Sequence, residues 1–160
     1  MSKLKRVLIF IDWFLPRTLA GGPIRSVANM IDQLDSGFEF LIITTNRDYN
    51  SSKPYDYIIP NKWLKHNGYT KIYYFSKESL NIRNLKKLID ETEHDYVYVN
   101  VIYSFFFSIL PLTLCEKTKI IASRGMLSSQ AFSVKRFKKK IFLQVAKILG
   151  LYKKLCLSGY

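Results

Sequence analysis

The stretch Arg6–Leu34, RVLIFIDWFLPRTLAGGPIRSVANMIDQL, decides the fold. Its unbroken apolar run, Val7–Ile11, predicts a strand that is buried on both faces, as in parallel sheets. Apolar residues then recur at helical spacing from Ile24, and Pro23 suits the first turn of such a helix because its missing N–H is not needed there. Strand, glycine loop and helix together can hold an anion, because backbone N–H groups and the positive end of the helix face the ligand.

The glycine loop allows a second interpretation. Every α/β domain has strand-to-helix turns, and Gly21 and Gly22 can serve only to relieve backbone strain. The loop matches neither the dinucleotide fingerprint GxGxxG nor the phosphate loop GxxxxGK[ST]. The loop alone therefore leaves both an anion site and a plain turn open.

The rest of the chain continues to alternate between strand and helix patterns. Strands are predicted at 38–45, 71–75, 95–100, 119–123 and 155–158, and helices at 81–92, 105–114 and 133–149. Residues 49–68 are rich in Asn, Ser, Pro, Tyr and Lys and are expected to hold little regular structure. The alternation predicts one α/β domain, a Rossmann-like doubly wound parallel sheet with helices on both faces.

Charge is distributed unevenly along the 160 residues, whose net charge is +13. No acidic residue follows Glu116, yet eleven basic residues do, whereas the part before it is close to balance. This asymmetry indicates an anionic partner, and nucleic acid, a membrane surface and a phosphorylated substrate all remain open. The two cysteines, Cys115 and Cys156, lack metal-ligand spacing and fit a reducing cytosol, and with only two histidines we expect no metal site.

Polar residues at the predicted strand ends form the candidate site, because ligands of doubly wound sheets bind outside the carboxyl ends of the strands. These residues are Asp12, Gly21, Gly22, Asn46, Arg47, Asp48, Asn100, Tyr103, Arg124, Gly125 and Ser128. Asp12 and Asp48 could instead be a carboxylate pair for hydrolysis, but solvated or capping aspartates are commoner. No serine has the pattern of a hydrolase nucleophile.

Three segments resemble the amino-terminal domain of family four glycosyltransferases: the opening stretch with GGP, the strand DYVYVN at 95–100, and IIASRGMLSSQAFSVKRFKKKIFLQVAKILGLYKKL at 120–155. These are retaining enzymes of the GT-B fold that build capsular polysaccharide, O-antigen of lipopolysaccharide, and exopolysaccharide. The resemblance covers nearly the whole chain. Its most specific element is Arg124–Ser128 followed by the lysine-rich helix.

The resemblance implies one half of a two-domain enzyme. In the family, two Rossmann-like domains face each other across a cleft: the amino-terminal one holds the acceptor and the carboxyl-terminal one the nucleotide-sugar. Residues 1–160 would be the acceptor domain, truncated before the donor domain and inactive alone. The resemblance implies that the polar strand-end residues other than Gly21 and Gly22 bind the acceptor. Neither a metal nor a cofactor is implied besides the nucleotide-sugar substrate, and the catalytic residues stay unknown. The loop that would face the donor diphosphate comprises Gly21, Gly22, Pro23 and Ser26.

The chain departs from the family at two positions. Many members carry histidine where Asn100 and Arg124 stand. Asparagine and arginine can bind sugar hydroxyls or phosphate, but neither is a base at neutral pH.

The lysine-rich helix implies a membrane partner. Family acceptors are often polyprenyl-diphosphate-linked sugars, so we expect a peripheral cytoplasmic protein on the inner face of the cytoplasmic membrane. The face that would contact anionic lipid comprises Lys135, Arg136, Lys138, Lys139 and Lys140. Two alternatives remain: a non-catalytic Rossmann-type module that binds sugar or nucleotide, and a basic nucleic-acid-binding domain. The second is not expected, because no nucleic-acid motif is present and Phe137 falls on the apolar stripe of the helix.

Overall fold

The apolar run near the start of the chain forms the central strand of one sheet. The structure, a computed structural model, describes residues 4–16, 21–34, 37–100 and 104–122, and the backbone of 155–157. Its strands are β1 (Lys5–Phe10), β2 (Phe38–Thr45), β3 (Trp63–Lys65), β4 (Thr70–Phe75), β5 (Tyr96–Val99), β6 (Thr118–Ile121) and β7 (Leu155–Leu157). Their order across the sheet is β3-β4-β2-β1-β5-β6-β7.

In the described part, every pair of neighbouring strands is parallel except β3 and β4. The parallel strands follow the order of doubly wound nucleotide-binding folds, in which the sheet grows outward in both directions from two central strands. Here these are β1 and β5, which pair with Val7 opposite Tyr96 and Phe10 opposite Val99. The predicted α/β fold with a doubly wound sheet is confirmed, and the crevice at the carboxyl ends of β1 and β5 is its switch point.

One prediction is wrong in part. Residues 49–68 were expected to hold little regular structure, but β3 lies within them and pairs antiparallel with β4. Trp63 stands opposite Tyr73, with ring centroids 5.5 Å apart. The antiparallel pairing of β3 makes the sheet mixed at this edge. The aromatic cross-strand pair stabilises β3, which is too short to show a sequence pattern.

The helices cover the two faces of the sheet, as the sequence predicts. Helix α1 (Gly22–Leu34) packs its buried residues against Val7, Ile9 and Ile11. Helices α2 (Ile82–Glu91) and α3 (Leu110–Leu114) pack on the opposite face, against Leu8 and Phe10. Because successive side chains of a strand point to opposite faces, the one apolar run of β1 contributes to both cores.

The helix predicted at 105–114 forms in two parts. Phe105–Ile109 is a π-helical turn in which the N–H of Ile109 donates to the carbonyl of Ser104 over 3.0 Å, and α3 continues from it. π-helical turns are rare in proteins, and those that occur are frequently found at functional sites. The helix predicted at 133–149 lies outside the described residues.

Candidate functional site

The polar residues that follow β1 and β5 meet at the switch point. Asp12 comes two residues after β1, and Asn100 directly follows β5. The N–H of Asn100 donates to the carbonyl of Phe10 over 3.2 Å, so the carboxyl ends of the two strands stay in register beyond the sheet. The crevice where ligands bind in this fold class is thus lined by residues from both strands.

The Asp12 peptide is fixed to the end of β2. Its carbonyl accepts from Thr45 Oγ1 at 2.7 Å, from Thr44 Oγ1 at 3.2 Å and from the Thr45 N–H at 3.3 Å. Three donors on one carbonyl leave the backbone little freedom. The direction of the Asp12 side chain is therefore set by the sheet.

The Asp12 carboxylate is partly buried and bound by a hydroxyl. Ser104 Oγ donates to Asp12 Oδ1 over 2.6 Å. The same Oγ accepts from the N–H of Phe107 at 3.2 Å, so Ser104 also caps the π-helical turn. Burial raises the pKa of Asp12 above its ordinary value, although the Ser104 hydrogen bond acts in the other direction. Asp12 can accept a hydrogen bond from a ligand hydroxyl or exchange a proton with it.

Asn100 links the switch point to α1. Its side chain is fully buried, and Nδ2 donates to the carbonyl of Pro23 over 3.4 Å. A ligand cannot reach a buried amide without displacing its neighbours. Asn100 therefore holds the start of α1 against the end of β5 and positions the site.

The glycines at the start of α1 have different roles. Gly21 has φ +73°, a conformation that favours glycine, and its carbonyl accepts from the N–H of Arg25 at 3.4 Å to begin the helix. Gly22 has no positive φ, and a Cβ added there meets none of the described part of the chain within 4 Å. The first-turn N–H groups that can face an anion belong to Gly22 and Ile24, since Pro23 has none.

The loop after β2 turns two of the predicted acceptor residues inward. Asn46 is 4% exposed and Asp48 is 2% exposed. The Tyr49 N–H donates to Asp48 Oδ1 over 2.8 Å, whereas Asp48 Oδ2 and Asn46 Oδ1 are buried without a hydrogen-bond partner in the described part of the chain. Arg47, between them, is half-buried and donates to the carbonyl of Ser52 over 3.4 Å. Asp12 is more accessible than Asn46 or Asp48.

Sequence reasoning missed two features of the site. Ser104 was not singled out, although a serine directly before an apolar helical run is a typical N-cap. Trp13 and Tyr49 also meet at this edge, ring edge to ring face, with centroids 5.0 Å apart. Ser104 and Asp12, like Trp13 and Tyr49, are far apart in the sequence and meet only in the tertiary structure.

The remaining predicted residues divide into two groups. Ser26 is partly buried on α1, one turn after Gly22. The others lie outside the described residues: Tyr103, Arg124, Gly125, Ser128, Lys135, Arg136, Lys138, Lys139 and Lys140.

Three further findings bear on the chemistry of the site. The described residues hold no group of three or more His, Cys, Asp or Glu side chains that could bind a metal ion. In the same part of the chain, no helix has the length and apolarity needed to cross a bilayer. No protein-family model, no curated protein and no solved structure matches this chain.

Proposed function

We propose that this chain is the acceptor-binding half of a retaining glycosyltransferase. The enzyme would transfer a sugar from a nucleotide-sugar to a lipid-linked saccharide in cell-surface polysaccharide synthesis. One observation carries the proposal: Asn100 ties the start of α1 to the carboxyl end of β5, and the neighbouring strand β1 is followed by a partly buried, hydrogen-bonded Asp12. A helix start that can hold a diphosphate and a carboxylate that can accept from an acceptor hydroxyl would both suit sugar transfer from a nucleotide-sugar.

Asp12 is the residue proposed to contact the acceptor. A carboxylate accepts hydrogen bonds from hydroxyl groups, and one that is held in place by Ser104 does so in a fixed direction. Thr44 and Thr45 support it by anchoring its peptide. Asn100 is a positioning residue, because it acts through the Pro23 carbonyl and not on the ligand.

The start of α1 is proposed to face the donor diphosphate. The amino-terminal end of a helix carries about half a positive charge, and a glycine at its first residue lets an anion approach the backbone. A Cβ added at Gly22 would meet no atom of the described residues within 4 Å, so packing among them does not require a glycine here. Close approach of a ligand to the backbone would explain why the residue at position 22 is a glycine.

The basic residues after Glu116 support a peripheral position on an anionic membrane. Each lysine or arginine near such a surface contributes about 1 kcal/mol of attraction. Lipid-linked acceptors would be presented at that surface. Nucleic acid is the competing anionic partner.

A transfer assay tests the proposal. Radiolabelled nucleotide-sugars are incubated with membrane lipid extract, once with residues 1–160 and once with the longest polypeptide encoded in the same reading frame. We expect label in the lipid fraction only with a polypeptide that also carries a donor domain, and less than a tenth of that turnover after Asp12→Ala. Binding of nucleotide-sugar without any transfer would favour the non-catalytic module, and salt-sensitive retention on DNA but not on anionic liposomes would favour nucleic acid.

A further inference from the structure

A long groove runs along α1 on its side of the sheet. Its volume is about 890 Å³, and it extends from Gly22 to Leu34, the first and last residues of the helix. At the helical rise per residue this corresponds to about 18 Å. Fourteen described residues line it: Val7, Gly22, Arg25, Ser26, Asn29, Met30, Gln33, Leu34, Phe38, Phe40, Tyr96, Tyr98, Ile120 and Ala122.

The floor of the groove is apolar, and no described helix covers β5 and β6 on this face. Tyr96, Tyr98, Ile120 and Ala122 point to the α1 side, where they form part of the same core cluster. Helices α2 and α3 lie on the other face. Within the described part of the chain, the groove therefore runs between α1 and the side chains of β5 and β6.

The wall formed by α1 is polar and carries a single charge. Its polar residues are Arg25, Ser26, Asn29 and Gln33, which alternate with the apolar Met30 and Leu34, and Arg25 is the one charged side chain among the described lining residues. No described carboxylate forms an ion pair with Arg25, which is exposed near the start of the helix. The groove therefore combines an apolar floor with a cation near the end that begins at Gly22.

We propose that this groove binds a single-chain amphiphile with an anionic head. The hydrocarbon tail would lie on the aromatic and aliphatic floor over β5 and β6, where burial of apolar surface stabilises it. The head, a carboxylate or a phosphate, would pair with the guanidinium of Arg25 and accept from the side chains of Ser26 or Asn29. The head-group end of the groove overlaps the proposed diphosphate loop, because Gly22 and Ser26 belong to both. Asn29 lines the groove but is not part of that loop, so a substitution there tests the groove apart from the proposal on sugar transfer.

Calorimetric titration with four twelve-carbon amphiphiles, each below its aggregation concentration, tests the site. Dodecanoate and dodecyl phosphate carry anionic heads, dodecyl maltoside a neutral one and dodecyltrimethylammonium a cationic one. We expect at least one anionic compound to bind with one-to-one stoichiometry, about tenfold or more tighter than the other two. Preference between the two anions tells a fatty acid from a phosphate-bearing lipid, and either preference supports the site.

Two variants locate the binding. Asn29→Phe places a ring into the groove from an exposed helix position, and we expect it to abolish binding; Asp32→Phe, on the same helix but outside the lining, is the matched control. Arg25→Gln should remove the preference for anionic heads while the tail still binds. Equal affinity for all four heads, full binding by Asn29→Phe, or no binding of either anion each overturns the inference. Circular dichroism of each variant verifies that α1 is intact.

Discussion

Ser104 Oγ donates a 2.6 Å hydrogen bond to Asp12 Oδ1, although 92 residues separate the two along the chain. The bond joins the end of β1 to the turn that follows β5, and so closes the switch point on one side. On the other side Asn100 reaches the start of α1 through the Pro23 carbonyl. The candidate site is therefore held by two long-range side-chain contacts. Variants that alter one of these contacts test its contribution to the site.

Asp12→Asn should change how stability depends on pH. Burial raises the pKa of Asp12 above its ordinary 3.8 in the folded state, so folding favours the protonated form. Its stabilising contribution is complete below that ordinary value and is lost as the pH rises through the folded pKa. Asparagine does not titrate, yet its Oδ1 can still accept from Ser104. Relative to wild type, we expect the variant to gain stability between about pH 4 and pH 7.

Urea unfolding at several pH values measures this difference. Asp32→Asn, which removes an exposed carboxylate from α1, serves as the control for the change in net charge. A difference between variant and wild type that stays flat with pH, or that falls as the pH rises, contradicts the account of Asp12.

Glu39→Gln should destabilise the protein at neutral pH. Glu39 Oε2 accepts from Arg6 Nε at 2.7 Å, and Oε1 from Lys71 Nζ at 3.0 Å, so it links β1, β2 and β4. Burial alone would raise the pKa of Glu39, but the hydrogen bonds and charges of Lys71 and Arg6 outweigh it and hold the pKa below the ordinary 4.5. The contribution is therefore present above that ordinary value and is lost as the pH falls through the depressed pKa.

We expect a loss of about 1 kcal/mol in the free energy of unfolding at pH 7, because the pair is only partly buried. Lys86→Gln, which removes an exposed pair with Asp90, should cost about 0.3–0.5 kcal/mol and is the matched control. Equal losses for both variants, or a Glu39→Gln loss that persists at pH 2, would contradict the depressed pKa.

Cys115 should be inert to thiol reagents until the domain opens. Its side chain is buried, and burial raises the pKa of the thiol to about 12. Reaction requires both access and thiolate, and the native protein provides neither. Peptide-resolved mass spectrometry after treatment with iodoacetamide should show Cys115 unmodified in native buffer and modified in urea. Thr113→Cys, at an exposed position two residues earlier, should react at once; equally rapid reaction of Cys115 would rule out the buried thiol.

Much of the fold could be predicted because its signals are local. The continuous apolar runs mark β1, β2, β4 and β5, and the spacing of apolar residues marks α1 and α2. The edge strand β3 could not be predicted, since its three residues are fixed by pairing with β4. Nor could the π-helical turn, because periodicity does not separate it from an α-helix.

The sequence predicted which residues follow the strands and so lie near the site, but not the direction in which their side chains point. Asp12 and Asn100 follow from the positions of β1 and β5. The burial of Asn46 and Asp48 depends on how their loop folds back. The Tyr55 N–H donates to the Asn46 carbonyl over 2.8 Å, and the backbones of Arg47 and Pro54 form an isolated antiparallel β-bridge. The Ser104 contact depends on packing between distant segments, which no local pattern encodes.

The central claim is that the start of α1 binds a diphosphate, and an NMR titration of the ¹⁵N-labelled chain with pyrophosphate and then UDP-glucose tests it most directly. We predict shifts of the Gly22 and Ile24 amides, and about tenfold weaker binding by Gly22→Val at an unchanged melting temperature, since a Cβ there meets no atom of the described residues within 4 Å. Gly68→Val, in equally open space in the turn before β4, should bind like wild type. Unchanged affinity in Gly22→Val, or shifts confined to other residues, would contradict the claim.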